Sequence, residues 1–357
     1  MPYRMIQIGL GDMGRHWCEV ALPPNIDDGL IEVVAAVDIN PAALTVAQDS
    51  LGLPPEKCYT DAKTAMAENE ADFCAIVVPP ARHEEVVDIA LAHGMHILSE
   101  KPIADNLAAS ARIADKVKRA GVKMGVTMSH RYDQDKTSLR QELRSGRYGA
   151  LDYLVCQLSA DLRKRGSWGA FRHDMPDPLM IEGAVHHLDL LADLAGAKCD
   201  TIYAQSWNPP WGEYAGDSQA LVTMVFENGS RAIFEGASCN AVGLHDWEQE
   251  TIRAECELGT LLLKARRLQR FPYDPSTQRI TKFEGEGEPV PLLERRKWMN
   301  TWLIEQFVHW LDGGESMETN VEDNLQSVAM IFAVIESSRT GMPVKVQALL
   351  KQAREKL

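Results

Sequence analysis

The sequence predicts an α/β chain: a doubly wound parallel sheet, then a second α+β domain built on a large, mainly antiparallel, open-faced sheet. Three observations predict it. Short apolar runs alternate with helical segments through residues 1–125. A glycine-rich turn follows the first run. Beyond residue 130 the runs lengthen, alternate in polarity and carry hairpin signals.

Taken in order, RMIQIGLG (4–11), EVVAAVD (32–38), FCAIVVPP (73–80), HILSEKP (96–102) and KMGVTMSH (123–130) read as strands. Each is nearly all apolar until its last residues, as a strand covered on both faces should be. Between them, HEEVVDIALAHG (83–94) places Val86, Val87, Ala90 and Leu91 on one side and stops at Gly94. DNLAASARIADKVKRAG (105–121) takes Asp105 as N-cap and closes at Gly121. A βαβ series of this kind implies parallel strands.

The second part opens with a helix over 136–149 and a strand over 151–160. LVTMVFENGSRAIFEG (221–236) reads as a hairpin about Asn228-Gly229, and ETIRAECELGTLLLKA (250–265) as another. Two helices follow, 297–313 with Trp298, Trp302 and Trp310, and 322–341 with Leu325, Val328, Phe332 and Ile335 on one face. The expected division is 1–129 and 130–357, with the 322–341 helix packing back on the first domain. Helices cover one face of the antiparallel sheet. An apolar second face needs a partner subunit, so a homodimer or homotetramer through this sheet is expected.

Composition narrows the function. The chain has 357 residues, 45% hydrophobic and 25% charged, with net charge −14. An acidic surface repels phosphodiester backbones, and RKR (163–165) is too short to offset it, so no nucleic-acid partner is expected. No run approaches the roughly 20 apolar residues of a membrane span. The N-terminal apolar stretch is short and broken by glycine, unlike a signal peptide. Seven cysteines without CxxC or zinc spacing suggest reduced core thiols in the cytoplasm and no metal site.

Gly9-Leu10-Gly11-Asp12-Met13-Gly14 is GxGxxG at a strand-to-helix junction, with Asp38 ending the next strand. That context marks a dinucleotide site of Rossmann type. Gly9 permits the turn, Gly11 admits the pyrophosphate, and Gly14 lets the helix pack on the sheet. Asp38 accepts hydrogen bonds from a ribose 2′-hydroxyl and repels a 2′-phosphate. Residues 39–41, Ile-Asn-Pro, offer no counter-charge, so NAD is expected over NADP. Glu100 and Lys101 sit at the carboxyl end of a later strand, where such sheets bind ligands. Pro102 disfavours helical backbone at Lys101 and fixes its direction. A lysine there can hydrogen-bond a substrate hydroxyl. A surface lysine with an incidental neighbour is the plainer alternative.

The chain resembles the Gfo/Idh/MocA oxidoreductases, which include inositol and glucose–fructose dehydrogenases. The resemblance covers nearly the whole chain. It is carried by GLGDMG (9–14), VVPPARHEE (77–85), SEKP (99–102), GVTMSHRY (125–132), IEGAVHHLDLLADLAG (181–196) and SSRTGMPV (337–344). It implies cofactor contacts at Gly9, Gly11, Asp12, Met13, Gly14, Asp38, Pro79, His83, Glu100 and Lys101. It also implies an active-site lysine, Lys101, and a carboxylate and histidine four residues apart, Glu182 and His186. Many members have Asp and then Gly two positions on; here Gly183 follows Glu182 directly. That keeps the carboxylate and lengthens its reach. On an α-helix the i, i+4 spacing puts both side chains on one face. His187 faces elsewhere and reads as structural, while Asp189 can orient His186 or cap local packing.

Substrate contacts are expected at His130 and Arg131, which end the last parallel strand, with a domain-junction salt bridge as the alternative. Others are expected at Trp168, Arg172 and His173 in the loop 161–178, where an aromatic face with cations suits a polyhydroxylated ligand. The implied activity is NAD-dependent oxidation of a secondary alcohol of a sugar or polyol. The rivals are glycoside cleavage or elimination through transient oxidation without net redox, and a redox-silent dinucleotide-binding regulator.

Overall fold

In a computed structural model of the protein, residues 1–276 and 285–357 are described. The chain divides into two compact units. One gathers Met1–Tyr132, Arg296–Val328 and Gln352–Leu357; the other gathers Asp133–Arg295 and Ala329–Lys351.

Among the described residues of the first unit, six strands form one parallel sheet: β1 (Tyr3–Ile8), β2 (Ile31–Val37), β3 (Cys58–Tyr59), β4 (Phe73–Ile76), β5 (His96–Ser99) and β6 (Met124–Val126). Their order is β3-β2-β1-β4-β5-β6. The chain reverses direction across the sheet between β1 and β4, which opens a crevice at the strand carboxyl ends. β4 is wholly buried, which its unbroken apolar run requires. The helix Leu107–Ala120 buries Leu107, Ala111, Ala114 and Val117. Its N-cap is Asn106 rather than Asp105. The Asn106 backbone is extended and its side chain accepts from the Ala109 amide at 2.8 Å, so the helix begins one residue later. The helix Met299–Leu311 buries Leu303, Ile304, Phe307 and Val308. Phe307 meets Phe73 edge-on, with ring centroids 5.3 Å apart. Trp302 and Trp310 lie half-buried at the margin of that cluster.

Among the described residues of the second unit, nine strands form one sheet: β7 (Leu151–Ser159), β8 (Cys199–Trp207), β9 (Gln219–Phe226), β10 (Arg231–Ala237), β11 (Thr251–Cys256), β12 (Gly259–Lys264), β13 (Arg267–Pro272), β14 (Glu288–Val290) and β15 (Val344–Lys345). The order is β14-β13-β12-β11-β7-β10-β9-β8-β15, with β7 and β10 parallel and the other pairs antiparallel. Asn228-Gly229 turns β9 into β10, and Gly229 takes the positive φ of 86° that this turn needs. Alternation decides the faces. Ile202, Val222, Met224, Ala232, Phe234, Leu154 and Ile252 point inward and are buried. Tyr203, Leu221, Val225 and Ile233 point outward and stay exposed. No helix among the described residues is long and apolar enough to cross a membrane.

Candidate active site

In the first unit, β1 runs into Gly9, whose φ is +93°. A Cβ at Gly9 would collide with the Val77 carbonyl, so glycine is needed for the turn after β1 to lie against the turn after β4. A Cβ at Gly14 would strike the Gly9 carbonyl, so the helix start sits directly on that turn. Gly11 is different: a Cβ there would point into open space. Nothing among the described residues requires that glycine, which is what a position kept bare for a ligand looks like. Asp12 and Met13 are exposed beside it. Asp38 accepts the Leu10 amide at 2.7 Å through Oδ2 and the Asn40 amide at 2.8 Å through Oδ1. Its carboxylate is thereby fixed beside the glycine turn with lone pairs left for ribose hydroxyls. The bare Gly11 cradle and this carboxylate fit NAD.

Pro79 is exposed at the turn after β4. His83 is not turned outward as a cofactor contact would be. It is fully buried, with Nδ1 3.2 Å from the Ile103 carbonyl and Nε2 2.8 Å from the Val78 carbonyl. It ties the turn after β4 to the segment after β5 from behind. Glu100 likewise faces inward. Its Oε1 accepts from the Trp17 indole at 2.9 Å and the Asn300 amide at 3.4 Å, and Oε2 accepts from the Lys101 amide at 3.2 Å. Lys101 is half-buried at the carboxyl end of β5, two strand spacings, about 10 Å, from the glycine turn. The Lys101–Pro102 peptide is cis. His130 and Arg131 are buried in the single 3-10 turn Ser129–Tyr132 that follows β6.

In the second unit, Glu182 lies in a π-helical turn, Leu179–Ala184, that runs into the α-helix Val185–Ala195 carrying His186. The two residues therefore span a change of helix type, where simple i, i+4 stacking does not hold; such turns recur at functional sites. Glu182 Oε2 accepts from Arg172 Nε at 3.0 Å. The Arg172 guanidinium lies 4.4 Å from the Phe171 ring centre and 5.1 Å from that of Trp168. Trp168 in turn packs on bare Gly183, where a Cβ would sit 3.1 Å from its ring. Gly183 directly after Glu182 is thus explained by the indole over it. The cation occupies the aromatic faces expected to receive a ligand, so Trp168 and Arg172 act together to hold Glu182. His173 is fully buried and stacks on Tyr214 at 4.0 Å, with ring nitrogens 3.2 and 3.3 Å from the Gly169 and Leu162 carbonyls. It shapes the loop and does not face a ligand.

His186 is buried, as is Asp189 one turn on. The Trp247 ring meets His186 edge-on at 5.4 Å and His187 at 5.6 Å. His187 Nε2 lies 3.1 Å from Glu250 Oε1, and Glu250 Oε2 lies 3.1 Å from the Lys136 ammonium. Lys136, 1% exposed, also lies 3.4 Å from both Asp133 and Asp135. Burial opposes its charge, but the Glu250, Asp135 and Asp133 carboxylates outweigh that and hold its pKa above the ordinary lysine value. Burial also opposes ionisation of Asp133, yet the Arg266 fork at 2.7 and 2.8 Å and the Lys136 charge hold it low. At Asp135 burial wins and pushes the carboxyl up. Sequence reading missed this network, whose one legible trace is charge at 133, 135 and 136 on an otherwise ordinary helix start.

Comparison with known proteins places the chain in a family. The Gfo/Idh/MocA model described as an oxidoreductase family with an NAD-binding Rossmann fold matches residues 4–128, and that for the family's C-terminal α/β domain matches residues 142–346. The chain belongs to the Gfo/Idh/MocA oxidoreductases. Within the family it is 52% identical to the uncharacterized protein y4oX of Sinorhizobium fredii over 99% of this chain and 98% of that one. It is 23% identical to D-apiose dehydrogenase of Rhizobium rhizogenes over 89% and 91%. Among solved structures it shares the fold of an inositol dehydrogenase homologue of Azotobacter vinelandii, complexed with NADH and myo-inositol. That likeness has TM-score 0.78 and 18% identity, covering 97% and 98% of the two chains. As a Gfo/Idh/MocA protein, this is an oxidoreductase with an NAD-binding Rossmann domain.

Proposed function

We propose that the protein oxidises a secondary alcohol of a sugar, cyclitol or related polyol to a ketone. NAD, when bound, supplies the hydride acceptor. His186 takes the hydroxyl proton, because imidazole is the side chain best suited to exchanging a proton near neutrality. Lys101 donates a hydrogen bond to the substrate oxygen and favours its developing negative charge. Glu182, held by Arg172, accepts from a neighbouring hydroxyl. Trp17 and Asn300 position Lys101 through Glu100. Asp38 makes NAD the preferred cofactor. The observation that most supports the reading is Lys101 at the carboxyl end of β5, in line with the glycine turn, in a family whose named relatives include D-apiose dehydrogenase.

The test is a screen for NADH formation with inositols, aldoses, sugar acids and small glycosides. Lys101→Ala and His186→Ala should each lower turnover by about 10²–10⁴-fold while NADH affinity stays close to that of the unaltered protein. Full turnover in either variant would remove that residue from the mechanism. The exposed apolar residues of the nine-stranded sheet support a homo-oligomer formed through that face.

A further inference from the structure

If Trp168 serves Arg172, the apolar side of a polyol ligand still needs a surface. The Trp247 ring stands beside His186. Trp247, 40% exposed, lies in the segment between β10 and β11 and contacts both imidazoles edge-on. Single exposed tryptophans are unremarkable. The backbone that presents this one is not. Glu248, the next residue, has φ +65°, a conformation rarely adopted by residues with side chains and one that persists only where the surroundings enforce it.

Those surroundings are built on both sides. Upstream, His245 pairs with Ser159 through both backbone directions: its carbonyl accepts the Ser159 amide at 2.9 Å, and its own amide donates to Ser159 Oγ at 3.1 Å. Downstream, Glu250 is 2% exposed and clamped between His187 and Lys136 at 3.1 Å each. At the tip, the Trp247 amide donates to Asp246 Oδ1 at 2.7 Å. Burying a lysine–glutamate pair to hold a loop that ends in a half-exposed indole makes little sense for packing alone. It makes sense if the indole must be held still.

We propose that Trp247 is the platform on which the C–H face of a pyranose or cyclitol packs while a ring hydroxyl reaches His186. Hydroxylated six-membered rings present such a face wherever axial hydrogens align, and an indole is a large, rigid apolar surface for it. This rests on the dehydrogenase reading for its ligand class, and it names Trp247 as the residue that selects cyclic over acyclic alcohols.

Saturation-transfer NMR on the NADH-loaded protein tests it without turnover. The probes are methyl β-D-glucopyranoside and myo-inositol. In the unaltered protein the axial hydrogens of the glucoside's α face should saturate most strongly. Trp247→Phe should keep that pattern, and Trp247→Leu should bind about tenfold more weakly, the scale of losing one aromatic face. No transfer to either probe in the unaltered protein overturns the proposal. So does equal binding by Trp247→Leu. If Trp247→Leu no longer binds NADH, Trp247→Phe decides alone: a face-selective pattern supports the platform and a uniform one overturns it. Face-on binding without NADH formation from any alcohol would sink the dehydrogenase reading and leave the platform. NADH formation from acyclic alcohols without face-selective transfer would do the reverse.

Discussion

At Asp38, two backbone amides already hold the carboxylate in place, from Leu10 and Asn40. A second negative charge brought to it would cost on the order of 4 kcal/mol at an effective dielectric near 20. Asp38→Ser should therefore narrow the preference for NADH over NADPH by at least about tenfold, read as the ratio of dissociation constants from cofactor fluorescence. Equal affinities in the unaltered protein would refute the assignment. Gly9 carries a different burden: a side chain there meets both an unfavourable φ and the Val77 carbonyl. Gly9→Ala should cost about 2–5 kcal/mol of stability, measured by urea unfolding. These two roles were legible in the sequence because they are local, set by a turn and the end of one strand. The directions of Glu100 and His173 were not. Glu100 finds its partners 83 and 200 residues away, in Trp17 and Asn300, and no spacing rule reaches that far.

At the scale of elements, two polar clusters hold helices in place. The first joins the helices His83–Ala92 and Leu107–Ala120. The Arg112 guanidinium, then Lys116, holds the Glu84 carboxyl down to about 2. A carboxyl whose folded value lies below its unfolded one adds stability at higher pH. That contribution is full above the unfolded value of 4.5 and is lost as pH falls toward about 2. Glu84→Gln should flatten the fall of stability across that window, followed by circular dichroism with urea at fixed pH; an unchanged slope would show the pair to be inert. The second cluster is the buried Lys136 network. Lys136→Met leaves Glu250 buried without its cation and should cost about 3–5 kcal/mol, part of which Lys136→Met with Glu250→Gln recovers. If the double variant is no more stable than the single one, the two residues are not coupled. Elements with a strong period were readable: β4, the Asn228-Gly229 hairpin and the helix Met299–Leu311. The π-turn at Leu179–Ala184 was not, because a helix pattern in sequence does not reveal one extra residue in a turn.

For the molecule as a whole, the outward face of the nine-stranded sheet carries the next prediction. Ile233 and Tyr203 flank Thr223 across three neighbouring strands, and Leu221 and Val225 stand on the same face. Leu221→Lys with Ile233→Glu should lower the mass measured by light scattering to that of one chain. A monomeric unaltered protein would end the oligomer reading. The fold class and family motifs were legible because both depend on repeated local patterns. The interior partners of charged residues were not, because folding creates them. The most direct measurement is the balance of cofactor during turnover. For at least one sugar or cyclitol, one NADH should form per ketone, with formation lost in Lys101→Ala and His186→Ala. A substrate consumed through bond cleavage with no net NADH would contradict it.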